Sequence, residues 1–233
     1  MIRLFVGFDQ RESIAYHVFC QSVIEKASQP VAFIPITHKA FPKSDGSNSF
    51  TLSRYLIPYL CDYTGWAIYA DSDMVMERDI AELWALRHAY ICNTAVAVVK
   101  HVYHSAHKRK YIGTSMEADN QNYARKNWSS LVLWNCSHFG NRCLAPQFVS
   151  GKGGAYLHRF NWLEDKQIGE LPPEWNHLVG EQECRDPKLR HYTLGIPAIK
   201  AYAGVESATW NSALLAALEC PSEHPLSIVE RAL

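Results

Sequence analysis

Ile, Leu, Phe and Val crowd together over residues 2–8 and stop at Asp9-Gln10-Arg11; the following segment, 12–27, places Ala15, Phe19, Val23 and Ala27 on one helical face. The pattern predicts a strand, a loop and a helix. A second strand is expected at 31–36 after Pro30, a polar loop at the SDGSNS run of 44–49, and a helix over 51–61. An apolar run at 66–70 then ends abruptly in Asp71-Ser72-Asp73. A buried strand that stops at two carboxylates sets them at its C-terminal end, where open α/β sheets bind their ligands. Further along, the pattern predicts a short helix at 80–86, strands at 95–99 and 128–134, an amphipathic helix over 157–168, a loop at 191–202 and a helix at 206–218, with Pro221 and Pro225 ending regular structure. Strands alternating with helices predict a single Rossmann-like α/β domain: a central, mostly parallel sheet with helices on both faces.

Composition narrows the classes open to such a domain. The 233 residues suit one α/β unit with elaborated loops, and 23 Lys plus Arg balance 23 Asp plus Glu, so no global field draws the chain to nucleic acid. No run approaches the roughly 20 apolar residues of a membrane span, because Arg54, Pro58, Asp62 and Asp71 interrupt the most hydrophobic region. Peripheral membrane contact stays open. The N-terminal apolar run is too short for a secretory signal and meets DQRE at once. The 7 cysteines are odd in number and scattered, without a C-x-x-C pair, which fits a reducing cytoplasm better than a disulfide framework or a zinc ribbon. The 7 Trp and 12 Tyr would serve a core or stack on sugar rings.

The chemistry centres on Asp71 and Asp73. Acids at i and i+2 after a strand both reach one site if the chain turns there, and paired carboxylates suit a hard cation, Mn²⁺ or Mg²⁺. A solvated turn or helix cap is the plainer reading of the same pair. Being at a strand end, the two acids are expected to be exposed and to contribute little to the core. The loop 100–110, KHVYHSAHKRK, carries His101, His104 and His107 with Lys108, Arg109 and Lys110, and reads as a solvated basic loop able to meet an anionic acceptor rather than as a metal tract. Gly151-Lys152-Gly153-Gly154 matches no phosphate-binding fingerprint and reads as a turn.

Six segments, FVGFDQRES, SRYLIPYL, WAIYADSDM, NWSSLVLWN, LPPEWN and HYTLGIP, occur in an order that resembles family 8-type glycosyltransferases of the GT-A fold, over residues 2–202. The resemblance implies a nucleotide-sugar-binding half at about 1–100, an acceptor and donor-sugar half at about 101–205, and a tail at 206–233. It implies that Asp9 seats the nucleotide base with Arg11 beside it, that Arg54 braces the acidic pair, and that Ser72 between the acids contacts the nucleotide-sugar. His191 is implied as the third metal ligand, and neutral imidazole is an acceptable one. Asn176 of LPPEWN matches a sugar-hydroxyl partner; Glu181, soon after, reads as a surface acid or an acceptor-side base. Gly195 stands where backbone would approach phosphate, a plain turn before Pro197 being the equal alternative, and Lys200 where a lysine would clamp it, although the loop reads Ile-Pro-Ala-Ile-Lys where the family continues in Lys-Pro-Trp or Gly-Pro-Trp. In place of the family's Asp-Gln-Asp segment the chain has residues 157–162, LHRFNW. His158 and Arg159 are the candidates there for contact with the donor or its phosphates, the alternative being a helix whose polar face meets solvent.

The expected activity is metal-dependent transfer of a hexose from a nucleotide diphosphate sugar, UDP before GDP, to a glycan or small-molecule acceptor, with retention. A metal-dependent phosphoesterase or nucleotidyltransferase and a non-catalytic carbohydrate-binding relative are the alternatives.

Overall fold

The computed structural model describes residues 1–37, 50–90 and 93–218. The loop expected at 44–49, Pro221 and Pro225 lie outside these residues. The first apolar run forms β1 (Ile2–Gly7), Asp9 caps a short 3₁₀ turn, and α1 (Ser13–Lys26) follows. Next come β2 (Val31–Ile36), a 3₁₀ turn (Ser53–Leu56) running into α2 (Ile57–Leu60), β3 (Trp66–Ala70), β4 (Met74–Met76), α3 (Ile80–Ala85) and β5 (Val96–Val98). A small hairpin of β6 (Arg109–Lys110) and β7 (Ala118–Asp119) precedes β8 (Leu131–Asn135), α4 (Pro146–Ser150) and α5 (Gly154–His158). The described chain closes with β9 (Ile168–Glu170), β10 (His177–Leu178), β11 (Leu189–His191) and α6 (Ser207–Leu218).

Six strands form the central sheet in the order β2-β1-β3-β8-β5-β9. All run parallel except β8, which pairs antiparallel with both β3 and β5. Strands β1, β3 and β8 are nearly continuous in apolar residues because both faces are covered. One face packs Phe5, Tyr55, Tyr69, Trp134 and Phe160; the other packs Leu4, Phe19, Ile68 and Trp175. Pro35 is tolerated in β2 because that strand is the sheet's edge. A second sheet, β10-β11-β4, sits beside the first and carries β4 against α1, where Ser22 Oγ accepts from Met76 N at 2.9 Å.

Two expectations need correction. The helix expected over 157–168 does not form: α5 ends at His158, Phe160 takes a left-handed φ of 54°, and Asn161 N donates to Tyr156 O at 3.1 Å. The apolar period was satisfied by tertiary burial, since Trp162 stacks on Trp134 with ring centroids 6.4 Å apart and planes 11° from parallel. The strand expected at 128–134 starts later, at Leu131, because Arg125 and Asn127 adopt φ of 61° and 62° and residues 128–130 complete a turn. That displaced turn presents Ser129 and Ser130 to the site.

Candidate active site

The site grows out of the end of β3. Asp71 N still donates to Ser130 O of the neighbouring chain at 2.9 Å, then the backbone turns through Ser72 into β4. Strand β4 pairs antiparallel with β11, and the register sets Met74 opposite His191. Since Met74 follows Asp73 directly, this register brings His191 to the acids, and Tyr192 N closes the junction on Asp73 O at 2.8 Å. One ligand atom from each of Asp71, Asp73 and His191 lies within 4.8 Å of the others.

Each ligand atom is oriented from behind. Asp71 Oδ1 accepts from Tyr69 Oη at 2.5 Å and pairs with Arg54 Nη1 at 3.0 Å. Arg54 also donates to Ser129 O at 2.9 Å and lies over the Tyr69 ring, 4.9 Å from its centroid. Asp73 Oδ2 accepts from Tyr111 Oη at 3.1 Å. The Asn176 amide donates through Nδ2 to Ser130 Oγ at 2.9 Å, which leaves its Oδ1 to accept from His191 Nδ1 at 3.0 Å. Nδ1 therefore carries a proton; with a cation bound, Nε2 would be the nitrogen free to turn its lone pair to it, and Nε2 lies 3.3 Å from Asp73 Oδ1. Asp73 Oδ1 is buried and accepts no hydrogen bond among the described residues. A buried carboxylate oxygen without a donor, beside a second carboxylate and a correctly oriented imidazole, fits a divalent cation.

The acids are more enclosed than a strand end implies: the Asp71 side chain is 15 % exposed and that of Asp73 8 %. Burial pushes both carboxyls up. At Asp73 the His191 imidazole, the Tyr111 hydroxyl and Lys110 outweigh it and hold the carboxyl below its ordinary range. At Asp71 burial and the charge of Asp73 prevail over Arg54, and its carboxyl sits above that range. Glu12, which the sequence reading passed over, is buried behind them with Oε1 unpartnered. Burial, then Asp73, Asp9 and Asp71, push it up from 4.5 to about 9. Between those values the folded protein keeps a proton that the unfolded chain has released, so stability falls as pH rises through the window, by up to about 1.4 kcal/mol per pH unit. Glu12→Gln, a neutral isostere, is expected to flatten the decline; melting temperatures from pH 5 to 9 in chelator check this, and parallel curves for both proteins would contradict it.

Of the residues named from sequence, Asp71, Asp73, Arg54, His191 and His158 line one cavity, with Asn176 directly behind His191. Tyr55 Oη and Ser129 Oγ engage His158 Nδ1 at 2.8 and 2.7 Å, and burial pulls its pKa down to about 3, so the ring is neutral and Nε2 is the atom left for a ligand. Arg159, Asp9, Arg11, Ser72, Gly195 and Lys200 do not line the cavity. Arg159 O accepts from Arg125. Asp9 caps the turn after β1 and forms an ion pair with Arg11 at 2.6 Å, Ser72 is buried, and a Cβ on Gly195 would lie 2.4 Å from the Tyr202 ring, so tyrosine occupies the space that its missing side chain opens. Lys200 is exposed on a 3₁₀ turn. Glu181 accepts from Ser105 Oγ at 2.5 Å.

The cavity also takes Thr51, Tyr123, Asn127, Ser129, Ser130 and Thr193, most of them inside the quoted NWSS and HYT segments. Lys110 and Tyr111 come from the basic tract and its continuation. That tract is solvated only in part: His104 and residues 107–109 face outward, but His101 is buried with Nδ1 2.9 Å from Gln182 Oε1, and Lys110 and Tyr111 turn inward. The sequence signal for them was weak because a lysine at the end of a basic run carries no period that marks it as inward.

Solved structures share this architecture. The galactosyltransferase LgtC, in complex with donor and acceptor sugar analogues, gives a TM-score of 0.60 at 12 % identity, covering 95 % of this chain and 98 % of its own. Apo mouse xyloside xylosyltransferase 1 gives 0.56 at 12 % identity, covering 84 % and 99 %. The apo bifunctional glycosyltransferase WbbM gives 0.63 at 15 % identity over 94 % of this chain, which spans 50 % of that longer protein. The fold is that of the GT-A glycosyltransferases. A model described as glycosyl transferase family 8 matches residues 7–136, and Protein CDI of Arabidopsis thaliana is 38 % identical over 224 residues, or 88 % of this chain and 83 % of its own. The chain belongs to glycosyltransferase family 8. Among the described residues no helix is long and apolar enough to cross a membrane.

Proposed function

We propose that this glycosyltransferase is divalent-metal-dependent and moves a hexose from a nucleotide diphosphate sugar, UDP before GDP, to a glycan or small-molecule acceptor in the cytoplasm, with retention. The observation that carries the reading is the orphaned Asp73 Oδ1 within the cluster it makes with Asp71 and His191. Those three residues would hold Mn²⁺ or Mg²⁺, which when bound would neutralise charge on a departing nucleoside diphosphate. The chain's own residues do the rest by positioning. Arg54 and Tyr69 fix Asp71, Tyr111 fixes Asp73, and Asn176 fixes the His191 tautomer. His158, neutral and tethered at Nδ1, would offer Nε2 to the donor from the cavity lining.

No carboxylate besides Asp71 and Asp73 lines the cavity among the described residues. Retention would then proceed without a protein nucleophile. The same observation favours, as a second reading, a relative that binds nucleotide sugars without turning them over. A thermal-shift panel of UDP- and GDP-sugars with and without Mn²⁺ tests the metal-linked site. A ligand at 100 times its Kd adds about 2.7 kcal/mol to stability, so UDP-sugars are expected to raise the melting temperature only with Mn²⁺. Shifts indifferent to chelator would overturn the metal-dependent reading; Mn²⁺-dependent shifts with no UDP released in a turnover assay with candidate acceptors would favour the non-catalytic one.

A further inference from the structure

Two cationic side chains, Arg54 and Lys110, line the cavity. Arg54 is paired: its Nη1 holds both Asp71 Oδ1 and the Ser129 carbonyl, while its buried Nε finds no acceptor among the described residues. Lys110 is not. Among the described residues no carboxylate comes within ion-pair distance of its Nζ, which lies 5.5 Å from the centroid of the Tyr111 ring. Asp71 and Asp73 act on it only at longer range, and burial pulls its pKa down. An ammonium partly withdrawn from water and without an ion-pair partner, beside a site that would hold a cation, is stabilised when an anion joins the assembly.

The backbone holds Lys110 there. Tyr111 N donates to Leu194 O at 2.7 Å, and Ile112 N donates to Tyr202 Oη at 3.2 Å. The Tyr202 ring fills the space beside Gly195, and Tyr111 Oη reaches Asp73. Tyr111 pays for this with a left-handed φ of 55°, a conformation that a tyrosine keeps only when its surroundings impose it. The loop of residues 191–202 therefore does not bring its own lysine to the acids, since Lys200 points outward on the turn before Tyr202; it clamps the segment that carries another.

We propose that Lys110, rather than Lys200, supplies the ammonium that contacts the diphosphate of the nucleotide-sugar donor. The inference rests on the donor-site reading above; Arg54 already forms an ion pair with Asp71, and Lys110 is the cavity-lining cation that no carboxylate among the described residues pairs. An ammonium serves this as a point charge with three donors.

The test is equilibrium binding of UDP and of uridine to the full chain in Mn²⁺, by calorimetry for UDP and ligand-observed NMR for uridine. Lys110→Met keeps the aliphatic stem and loses the charge. It is expected to weaken UDP about 10- to 100-fold, the size of a lost hydrogen bond to a charged group, while uridine binding and the ligand-free melting temperature stay as in wild type. Lys110→Arg should retain more UDP affinity than Lys110→Met, and Lys200→Met should bind UDP as wild type does. Wild-type UDP affinity in Lys110→Met, equal losses for UDP and uridine, or a loss confined to Lys200→Met overturns the assignment and leaves the donor site intact. A wild-type chain that binds neither UDP nor GDP in Mn²⁺ overturns the donor-site reading, and this inference with it.

Discussion

Asp73→Asn is expected to lower metal-dependent donor affinity by at least about 100-fold, since loss of even an outer-shell partner commonly costs 10- to 100-fold, and to leave the protein folded. The asparagine keeps an acceptor for Tyr111 Oη and the shape of the turn, but removes the negative charge at Oδ1, the atom that no hydrogen bond satisfies. The ligand-free fold gives up the favourable contacts that hold Asp73 ionised, with His191 first among them, at a cost of about 1–2 kcal/mol. UDP titrations with and without Mn²⁺, paired with melting curves in chelator, separate the two effects. Wild-type affinity for UDP in Mn²⁺ would remove the basis for the metal site.

The second large effect concerns stability. Arg54 and Asp71 form an ion pair whose side chains are only 6 % and 15 % exposed. Breaking a buried pair by removing one partner costs about 3–5 kcal/mol because the other charge is stranded. Arg54→Met should therefore destabilise strongly, leaving Asp71 beside the charge of Asp73, and Asp71→Asn should do so by leaving a buried guanidinium. The double variant should lose less than the sum of the two. The sign with pH follows from Asp71, whose carboxyl already sits above its ordinary range with Arg54 present. An acid raised on folding loses stability as pH rises, so the Arg54→Met penalty should be smaller at pH 5 than at pH 8, since Asp71 is more readily protonated at the lower pH. Urea denaturation in chelator at both pH values measures this; additive losses with no pH dependence would show that the pair is not coupled. The expectation that the acids contribute little to the core holds for neither, since both are enclosed and Asp71 is tied to Arg54.

The two carboxylates were legible because a strand of five apolar residues cannot carry an acid in its buried interior, so the acids had to mark its end. Arg54, His191 and Asn176 were reachable only through resemblance. Nothing in the local pattern around His191 distinguishes it from a core histidine, and its place beside Asp73 follows from the antiparallel register of β11 with β4, two strands of three residues each that leave almost no periodic trace. Glu12 and Lys110 were missed for a related reason: a charged residue next to other charged residues reads as solvated until the fold shows what covers it.

By itself the sequence determined most of the described strands and helices of the first hundred residues, though not β4, together with the both-faced burial of the central sheet and the position of the acidic pair. Each of these is set by a period of two or 3.6 along the chain, or by the free energy of keeping a carboxylate out of an apolar strand. Tertiary structure alone decided that residues 157–168 would give up a helix to seat Phe160 and Trp162 on Trp134, that the basic tract would turn Lys110 and Tyr111 inward, and that Asn176 would fix the proton on His191. Those outcomes depend on contacts between segments far apart in the chain, where the energy is decided by what the partner segment offers and not by the spacing of residues within either one.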